Sequence, residues 1–146
     1  MKKIFISIVF GTRPELIKLA PVILLAKQDA RFQVEVIFTG QHDELVRDAI
    51  DFFGVEIDHR LKIMNAGQSL NQLLIHGLTQ LENIYTDGQK RDAIVIQGDT
   101  TTVLAAGLVA FSMKIPVAHV EAGLRSYDLD HPFPEEGNRQ LVSRIT

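Results

Sequence analysis

The 146-residue sequence contains no cysteine, which excludes disulfide bonds, thiolate nucleophiles and cysteine-bound metal sites. Its net charge is also small, because 15 basic and 18 acidic residues give −3 at pH 7. There is thus no bulk electrostatic attraction for nucleic acid or an anionic membrane, and we expect neither as a partner. Any site for an anion must be formed locally.

Long hydrophobic runs are lacking as well. The apolar start, Ile4 to Phe10, is too short to span a bilayer, and Arg13 and Glu15 follow it without the small-residue cleavage pattern of a signal peptide. We therefore expect the protein in the cytoplasm. With 46% hydrophobic residues the chain can bury one core of ordinary size, so we expect a single domain over 1–146.

What the sequence does contain is an alternation of buried strands and amphipathic helices. Four apolar runs predict strands, at 4–10, 32–38, 93–96 and 115–120, and the first is so nearly unbroken that we expect it to be covered on both faces of a parallel sheet. Four stretches have helical spacing of apolar residues: about 14–27, 45–53, 70–85 and 101–113. Gly54 is expected to close the second helix, and Ser69 to cap the third. The alternation predicts an α/β fold, doubly wound, with a mainly parallel, Rossmann-like sheet.

Polar clusters at 11–15, 98–102 and 121–126 follow predicted strands directly. Ligands of doubly wound domains collect at the carboxyl ends of the strands, so these clusters predict a ligand site. In the first cluster, Arg13 begins a helix whose dipole favours anions, and Lys18 lies about one turn further on. The pattern favours phosphate binding. The alternative is a helix-entry loop in which Arg13 is solvated or paired with Glu15, and Lys18 is solvated.

Carboxylates stand at the other two predicted strand exits and in a later turn. Asp99 precedes three threonines and could instead be a helix N-cap. Glu121 continues an apolar strand to the sheet edge, where a carboxylate is costly to bury and is more often functional than structural. Glu135 and Glu136 follow a proline-rich turn and could simply favour a helix N-terminus. Together Asp99, Glu121 and Glu135 form a set suited to proton transfer.

The histidines do not add a metal site to this set. His42, His119 and His131 lack metal-ligand spacing relative to the acids, so we expect them to be hydrogen-bonding or surface residues. We predict no metal.

Five ordered motifs resemble those of the non-hydrolysing UDP-N-acetylglucosamine 2-epimerase family: Gly-Thr-Arg-Pro-Glu at 11–15, Thr-Gly-Gln-His at 39–42, Gly-Asp-Thr-Thr-Thr at 98–102, His-Val-Glu-Ala-Gly-Leu-Arg-Ser at 119–126, and Pro-Phe-Pro-Glu-Glu at 132–136 followed by Asn138-Arg139. The resemblance implies a two-domain enzyme of the glycosyltransferase-B arrangement, with a UDP-sugar between its Rossmann-like domains. It also implies that 1–146 is the N-terminal domain, that the C-terminal domain lies outside this chain, and that the full-length protein is a homodimer.

The resemblance further implies a reaction. The family interconverts UDP-N-acetylglucosamine and UDP-N-acetylmannosamine by anti-elimination of UDP and re-addition, without a cofactor, and so supplies activated sugars for cell-surface polysaccharide. The matching acid/base residues are Asp99, Glu121 and Glu135. Arg13 and Lys18, together with Asp99 and Glu121, match positions that contact the nucleotide-sugar. Residues 1–146 alone are expected to be inactive.

Regulation and substrate are less closely defined by the resemblance. Gln41, His42, Gln68 and Glu136 match a regulatory UDP-N-acetylglucosamine site of some bacterial members, but Gly67 stands where those members carry arginine. Epimerases of UDP-2,3-diacetamido-glucuronic acid share the motifs and are the alternative within the family. Hydrolysing relatives are a less favoured alternative. A non-catalytic nucleotide-sugar-binding module is the alternative from another class, and fold analogy alone also admits a glycosyltransferase.

Overall fold

The computed structural model describes residues 2–40 and 44–146. Within them the chain alternates between strands and helices, in the order β1 (Ile4–Phe10), α1 (Arg13–Gln28), β2 (Phe32–Phe38), α2 (Glu44–Phe53), β3 (His59–Arg60), α3 (Leu70–Tyr85), β4 (Ala93–Gln97), α4 (Thr101–Ser112), β5 (Val117–Val120) and α5 (Glu135–Val142).

The five strands form one parallel sheet in the order β3-β2-β1-β4-β5. The chain runs outward from β1 in one direction and then, after β3, crosses back to β4 on the other side. This reversal makes the gap between the carboxyl ends of β1 and β4 a topological switch point, where open α/β sheets bind ligands. The predicted doubly wound, Rossmann-like α/β fold is confirmed.

Helices cover both faces of the sheet, and each face has its own apolar core. On one face, α1 and α2 pack on a cluster that includes Phe10, Leu16 and Phe38. On the other, α3, α4 and α5 enclose a cluster that includes Ile94, Ile96 and Val142. Burial on both faces explains why the central strands are almost wholly apolar. No helix in the described ranges is long and apolar enough to cross a membrane.

The predicted helix boundaries are close to those of the structure. Ser69 caps α3 as predicted, and Gly54 follows α2 with a φ of 64°. The sequence prediction missed β3, whose two residues pair with the end of β2 just before the segment of weak pattern. The last strand begins at Val117 rather than Ile115. Pro116 contributes only its carbonyl, which accepts a hydrogen bond from Ile94 N at 2.8 Å.

Candidate active site

At the switch point, a buried carboxylate joins the loops that follow β1 and β4. Glu15 is only 3% exposed, and its Oε2 accepts hydrogen bonds from Gly11 N at 2.6 Å and Thr12 N at 2.9 Å. Its Oε1 accepts from the Thr100 hydroxyl at 2.6 Å. Burial raises the pKa of Glu15, although these hydrogen bonds act in the opposite direction. Glu15 therefore holds the start of α1 against the start of α4.

These contacts change the interpretation of the first motif. The backbone N–H groups of Gly11 and Thr12 are already bound to Glu15, so they are not free for a phosphate. A Cβ at Gly11 would lie 2.6 Å from Thr39 Oγ1, which shows that the glycine is required by packing. The suggested pairing of Arg13 with Glu15 is wrong. Arg13 is exposed and has no hydrogen bond or ion pair within the described part of the chain.

Lys18 on α1 and Glu121 after β5 form an ion pair at the carboxyl edge of the sheet. Lys18 Nζ lies 2.5 Å from Glu121 Oε2, and the same oxygen accepts a hydrogen bond from the Gln97 side chain at the end of β4. Glu121 has a φ of 62°, a left-handed conformation that is uncommon for a residue with a side chain and is concentrated at functional sites. Lys18 is therefore not simply solvated, as the alternative interpretation had it, because it pairs with another predicted site residue.

Asp99 is not the N-cap of α4. That position belongs to Thr100, whose hydroxyl accepts a hydrogen bond from Val103 N at 3.4 Å. The Asp99 carboxylate instead pairs with the guanidinium of Arg139, and its backbone carbonyl accepts from Asn138 Nδ2 at 2.9 Å. Because Asp99 and Glu121 follow neighbouring parallel strands, the structure places them at the same edge of the sheet.

The two adjacent glutamates of α5 have different surroundings. Glu136 is fully buried, and accepts hydrogen bonds from the backbone N–H groups of Ser126 at 2.9 Å and Tyr127 at 3.3 Å. The bond from Ser126, followed by one from the Gln140 side chain and that from Tyr127, holds the pKa of Glu136 at about 2. Glu135 instead has a buried oxygen, Oε2, without a hydrogen-bond partner among the described residues. It lies one turn before Asn138 on the face of α5 that contacts Asp99.

The residues matched to a regulatory site are less fully described. Gln41 and His42 lie outside the described residues. The Gln68 amide is used locally, since it donates to Ile63 O at 3.1 Å and accepts from Asn65 N. Together with the engagement of Glu136, this means that a regulatory ligand would have to displace existing contacts, and the regulatory role stays a prediction.

Of the histidines, His119 and His131 are hydrogen-bonded, as expected, and His42 lies outside the described residues. His119 Nε2 donates to Gly98 O at 2.7 Å, and His131 Nδ1 lies 3.1 Å from Asp128 Oδ2. In the described part of the chain, no group of three or more histidine, aspartate or glutamate residues could hold a metal ion.

Sequence analysis assigned no role to three residues that organise this edge: Gln97, Asn138 and Arg139. Asn138 and Arg139 follow Glu135 by three and four residues, which puts all three on one side of a helix. That spacing was the available signal. The spacing predicts that the three residues share one face of a helix. It does not predict that this face contacts the end of β4.

An open parallel sheet with acids after β4 and β5, and a lysine of α1 paired with one of them, defines a Rossmann-like ligand-binding domain with a candidate acid/base site. The family model for UDP-N-acetylglucosamine 2-epimerase matches residues 25–146 of this domain. The chain belongs to the UDP-N-acetylglucosamine 2-epimerase family.

Individual relatives agree with this assignment. The chain is 47% identical over 137 residues to the UDP-N-acetylglucosamine 2-epimerase of Salmonella borreze. The aligned region covers 94% of this chain and 36% of the relative. It is 41% identical over 145 residues to that of Bacillus subtilis strain 168, covering 99% of this chain and 38% of the relative. The chain thus spans little more than a third of the length of these curated relatives.

Solved structures of the family match the fold closely. The UDP-GlcNAc 2-epimerase of Neisseria meningitidis bound to UDP-GlcNAc matches with a TM-score of 0.91 and 43% identity, over 97% of this chain and 39% of that one. The enzyme of Methanocaldococcus jannaschii in complex with UDP-GlcNAc and UDP matches with a TM-score of 0.89 and 37% identity, over 97% and 38%.

Proposed function

We propose that this chain is the N-terminal domain of a UDP-N-acetylglucosamine 2-epimerase, which interconverts UDP-N-acetylglucosamine and UDP-N-acetylmannosamine for cell-surface polysaccharide. The observation that carries the proposal is the gathering of Asp99, Glu121 and the Glu135 helix face at one sheet edge, beside Lys18. The solved relatives that hold UDP-GlcNAc or UDP support the choice of a UDP-sugar as substrate.

The C2 hydrogen of the sugar is not acidic, because no carbonyl is conjugated with that carbon, so simple removal and return of the proton does not explain epimerisation. In the proposed route a base removes that proton while the C1–O bond to UDP breaks, which gives 2-acetamidoglucal and free UDP. UDP then re-adds at C1, and a proton returns to the other face of C2. The route is redox-neutral. We assign the proton transfers to the set Asp99, Glu121 and Glu135, with positioned carboxylates as general acids and bases.

Arg13 and Lys18 are proposed to bind the diphosphate. Arg13 is exposed and unpaired within the described residues, so its guanidinium is free for a bidentate contact with phosphate. Lys18 is held by Glu121, with both side chains partly exposed. A diphosphate that approached Lys18 would compete with Glu121 for its charge. Substrate binding would then leave the Glu121 carboxylate available for proton transfer.

A second domain is part of the proposal. Arg13 and Lys18 stand at the surface, where attraction for phosphate is weakened by solvent and salt. Elimination needs the leaving group held and the sugar enclosed from water, and we propose that a C-terminal domain supplies this enclosure. Residues 1–146 alone should therefore show no measurable epimerase activity. We also propose that the complete protein is a cytoplasmic homodimer.

The test is to incubate the purified full-length protein with UDP-N-acetylglucosamine in D₂O and follow the products by ¹H NMR. We expect UDP-N-acetylmannosamine with deuterium at C2, and residues 1–146 serve as the inactive control. Failure to form the manno product, or a product that retains its original C2 hydrogen, would contradict the proposal. Turnover by 1–146 at rates near those of the full-length protein would contradict the two-domain part of it.

A further inference from the structure

Arg139 on α5 is buried between two carboxylates that belong to different parts of the candidate site. The residue is 7% exposed. Its Nη2 contacts Asp99 Oδ2 at the exit of β4, and its Nη1 lies 3.2 Å from Glu136 Oε2 in the preceding turn of α5. Its Nε is buried and has no hydrogen-bond partner among the described residues. The guanidinium is therefore held from two sides.

Glu136 extends this connection to the loop that follows β5. It accepts the backbone N–H groups of Ser126 and Tyr127, and Gln140 Nε2 donates to it at 2.7 Å. Tyr127 has a φ of 60°, so the loop turns sharply where Glu136 holds it. A continuous chain of contacts thus runs from Asp99 through Arg139 and Glu136 to the segment just after Glu121.

We propose that Arg139 is a positioning residue of the active site. By binding Asp99 directly and the 121–127 loop through Glu136, it fixes two candidate acids relative to Glu135, which projects from the same helix. The inference rests on the proposed function, in which Asp99 and Glu121 transfer protons. It adds to that function a residue that would act only through Asp99 and the loop.

Burial separates this role from substrate binding. Both terminal nitrogens of Arg139 already contact carboxylates, so the guanidinium has little capacity for a phosphate. A buried ion pair is a weak source of net stability compared with apolar packing of the same volume, but it fixes geometry. A lysine could not reproduce both contacts, because its single ammonium lacks the planar fork that reaches two carboxylates.

A double-mutant cycle in the full-length protein tests the proposal. Arg139→Gln should lower kcat about 100-fold, the loss typical of an acid misplaced by about 1 Å, with KM changed less than about threefold. In an Asp99→Asn background the same change should cost only about tenfold, because one of the two acids that it positions is already disabled and only its effect through the 121–127 loop remains. Arg139→Lys should not restore kcat. Arg31→Gln, which removes an exposed arginine paired with Asp29, is the matched control and should leave kcat unchanged.

Each outcome decides a separate question. Equal losses from Arg139→Gln in both backgrounds, or full activity in Arg139→Lys, would overturn the positioning role while leaving the proposed function intact. An inactive wild-type protein would overturn the proposed function instead. Hydrogen exchange then tests whether Arg139 holds the 121–127 loop through Glu136. Glu136→Gln and Arg139→Lys should both speed exchange of the Ser126 and Tyr127 amides. Unchanged exchange would overturn the proposed contact of Arg139 with this loop. The measurement tests the proposal even if Arg139→Gln does not fold, because it uses the other two variants.

Discussion

Two regions of the molecule bury charged side chains, and they differ in how completely those charges are paired. Beneath α3, towards the amino ends of the strands, Arg91 is 2% exposed and makes five hydrogen bonds, to Glu35, Asp87 and Gln89 O, at 2.5 to 3.2 Å. This number equals the donors of a guanidinium. Its Cζ also lies 5.4 Å from the centre of the Tyr85 ring. We call these residues the amino-edge cluster.

The carboxyl edge of the sheet is incompletely paired by comparison. Three buried side-chain atoms in the described residues lack a hydrogen-bond partner, and all three belong to β5 or α5: His119 Nδ1, Glu135 Oε2 and Arg139 Nε. Glu121, whose backbone is left-handed, directly follows β5. Unpaired buried groups and unusual backbone cost stability, and they tend to persist where a ligand or a reaction uses them. We therefore propose that the amino-edge cluster serves folding, and that the carboxyl edge serves the proposed reaction.

The largest expected effect on stability comes from opening the amino-edge cluster. Arg91→Leu leaves the buried Glu35 carboxylate without its guanidinium, so the free energy of unfolding should fall by about 3–5 kcal/mol in urea titrations. The control, Arg31→Gln, breaks an exposed pair with Asp29 and should leave the free energy of unfolding almost unchanged. Equal costs for the two changes would show that the amino-edge cluster contributes no more than a surface pair.

At the switch point, Glu15→Ala should cost about 2–4 kcal/mol, because it strands the buried N–H groups of Gly11 and Thr12. Glu15→Gln keeps an oxygen for these donors and should cost far less at neutral pH. Burial raises the pKa of Glu15 above 4.5, so its protonated form stabilises the fold at low pH and that contribution is lost as pH rises through the folded pKa. Above pH 4.5 the wild type should therefore lose stability relative to Glu15→Gln. A stability difference between the two proteins that did not change with pH would contradict a raised pKa for Glu15.

Packing beside the candidate site should produce a smaller effect. Gly11→Ala places a Cβ 2.6 Å from Thr39 Oγ1 and 3.0 Å from Thr102 Oγ1, and should cost about 1–3 kcal/mol. Gly137→Ala is the matched control, since a Cβ there meets nothing within 4 Å and alanine favours a helix; it should add about 0.5–1 kcal/mol. Calorimetry on both variants checks the pair. A neutral Gly11→Ala would show that this loop adapts more readily than its contacts indicate.

The pH dependence of Glu136 gives a test of direction rather than size. Its pKa is lowered from 4.5 to about 2 in the folded protein, so its contribution is fully present above pH 4.5 and is lost as pH falls towards 2. The stability difference between the wild type and Glu136→Gln, measured by urea unfolding at several pH values, should shrink across that window. A difference that grew as the pH fell would contradict the contacts described for Glu136.

Local sequence features predicted β1 and β2 with the bounds that the structure shows, because uninterrupted apolar runs end at clear polar loops. They could not choose between Asp99 and Thr100 as the cap of α4, since both residue types cap helices and they are adjacent. The local hydrogen bonds of Glu15 were open to prediction. Thr12-Arg13-Pro14-Glu15 has the spacing of a capping box, which the structure contains.

The contacts of Arg139 were beyond reach from the sequence alone. Its partner Asp99 lies on another element, and the pairing depends on how α5 packs beside α4 and the sheet. The same limit applies to Lys18 and Glu121, which are brought together by the positions of α1 and β5. Residue types and strand exits predicted a candidate site, while the pairing of charges within it required the three-dimensional structure.

The central claim is that carboxylates at the carboxyl edge move the C2 proton of the sugar, and Glu135→Gln in the full-length protein tests it most directly. The measurement is the rate of deuterium incorporation at C2 of UDP-N-acetylglucosamine in D₂O, with Glu82→Gln on the exposed side of α3 as the control. We predict a loss of about 100- to 10,000-fold for Glu135→Gln, as for removal of a general acid or base, and no change for the control. Exchange at the wild-type rate in a folded Glu135→Gln variant would contradict the account.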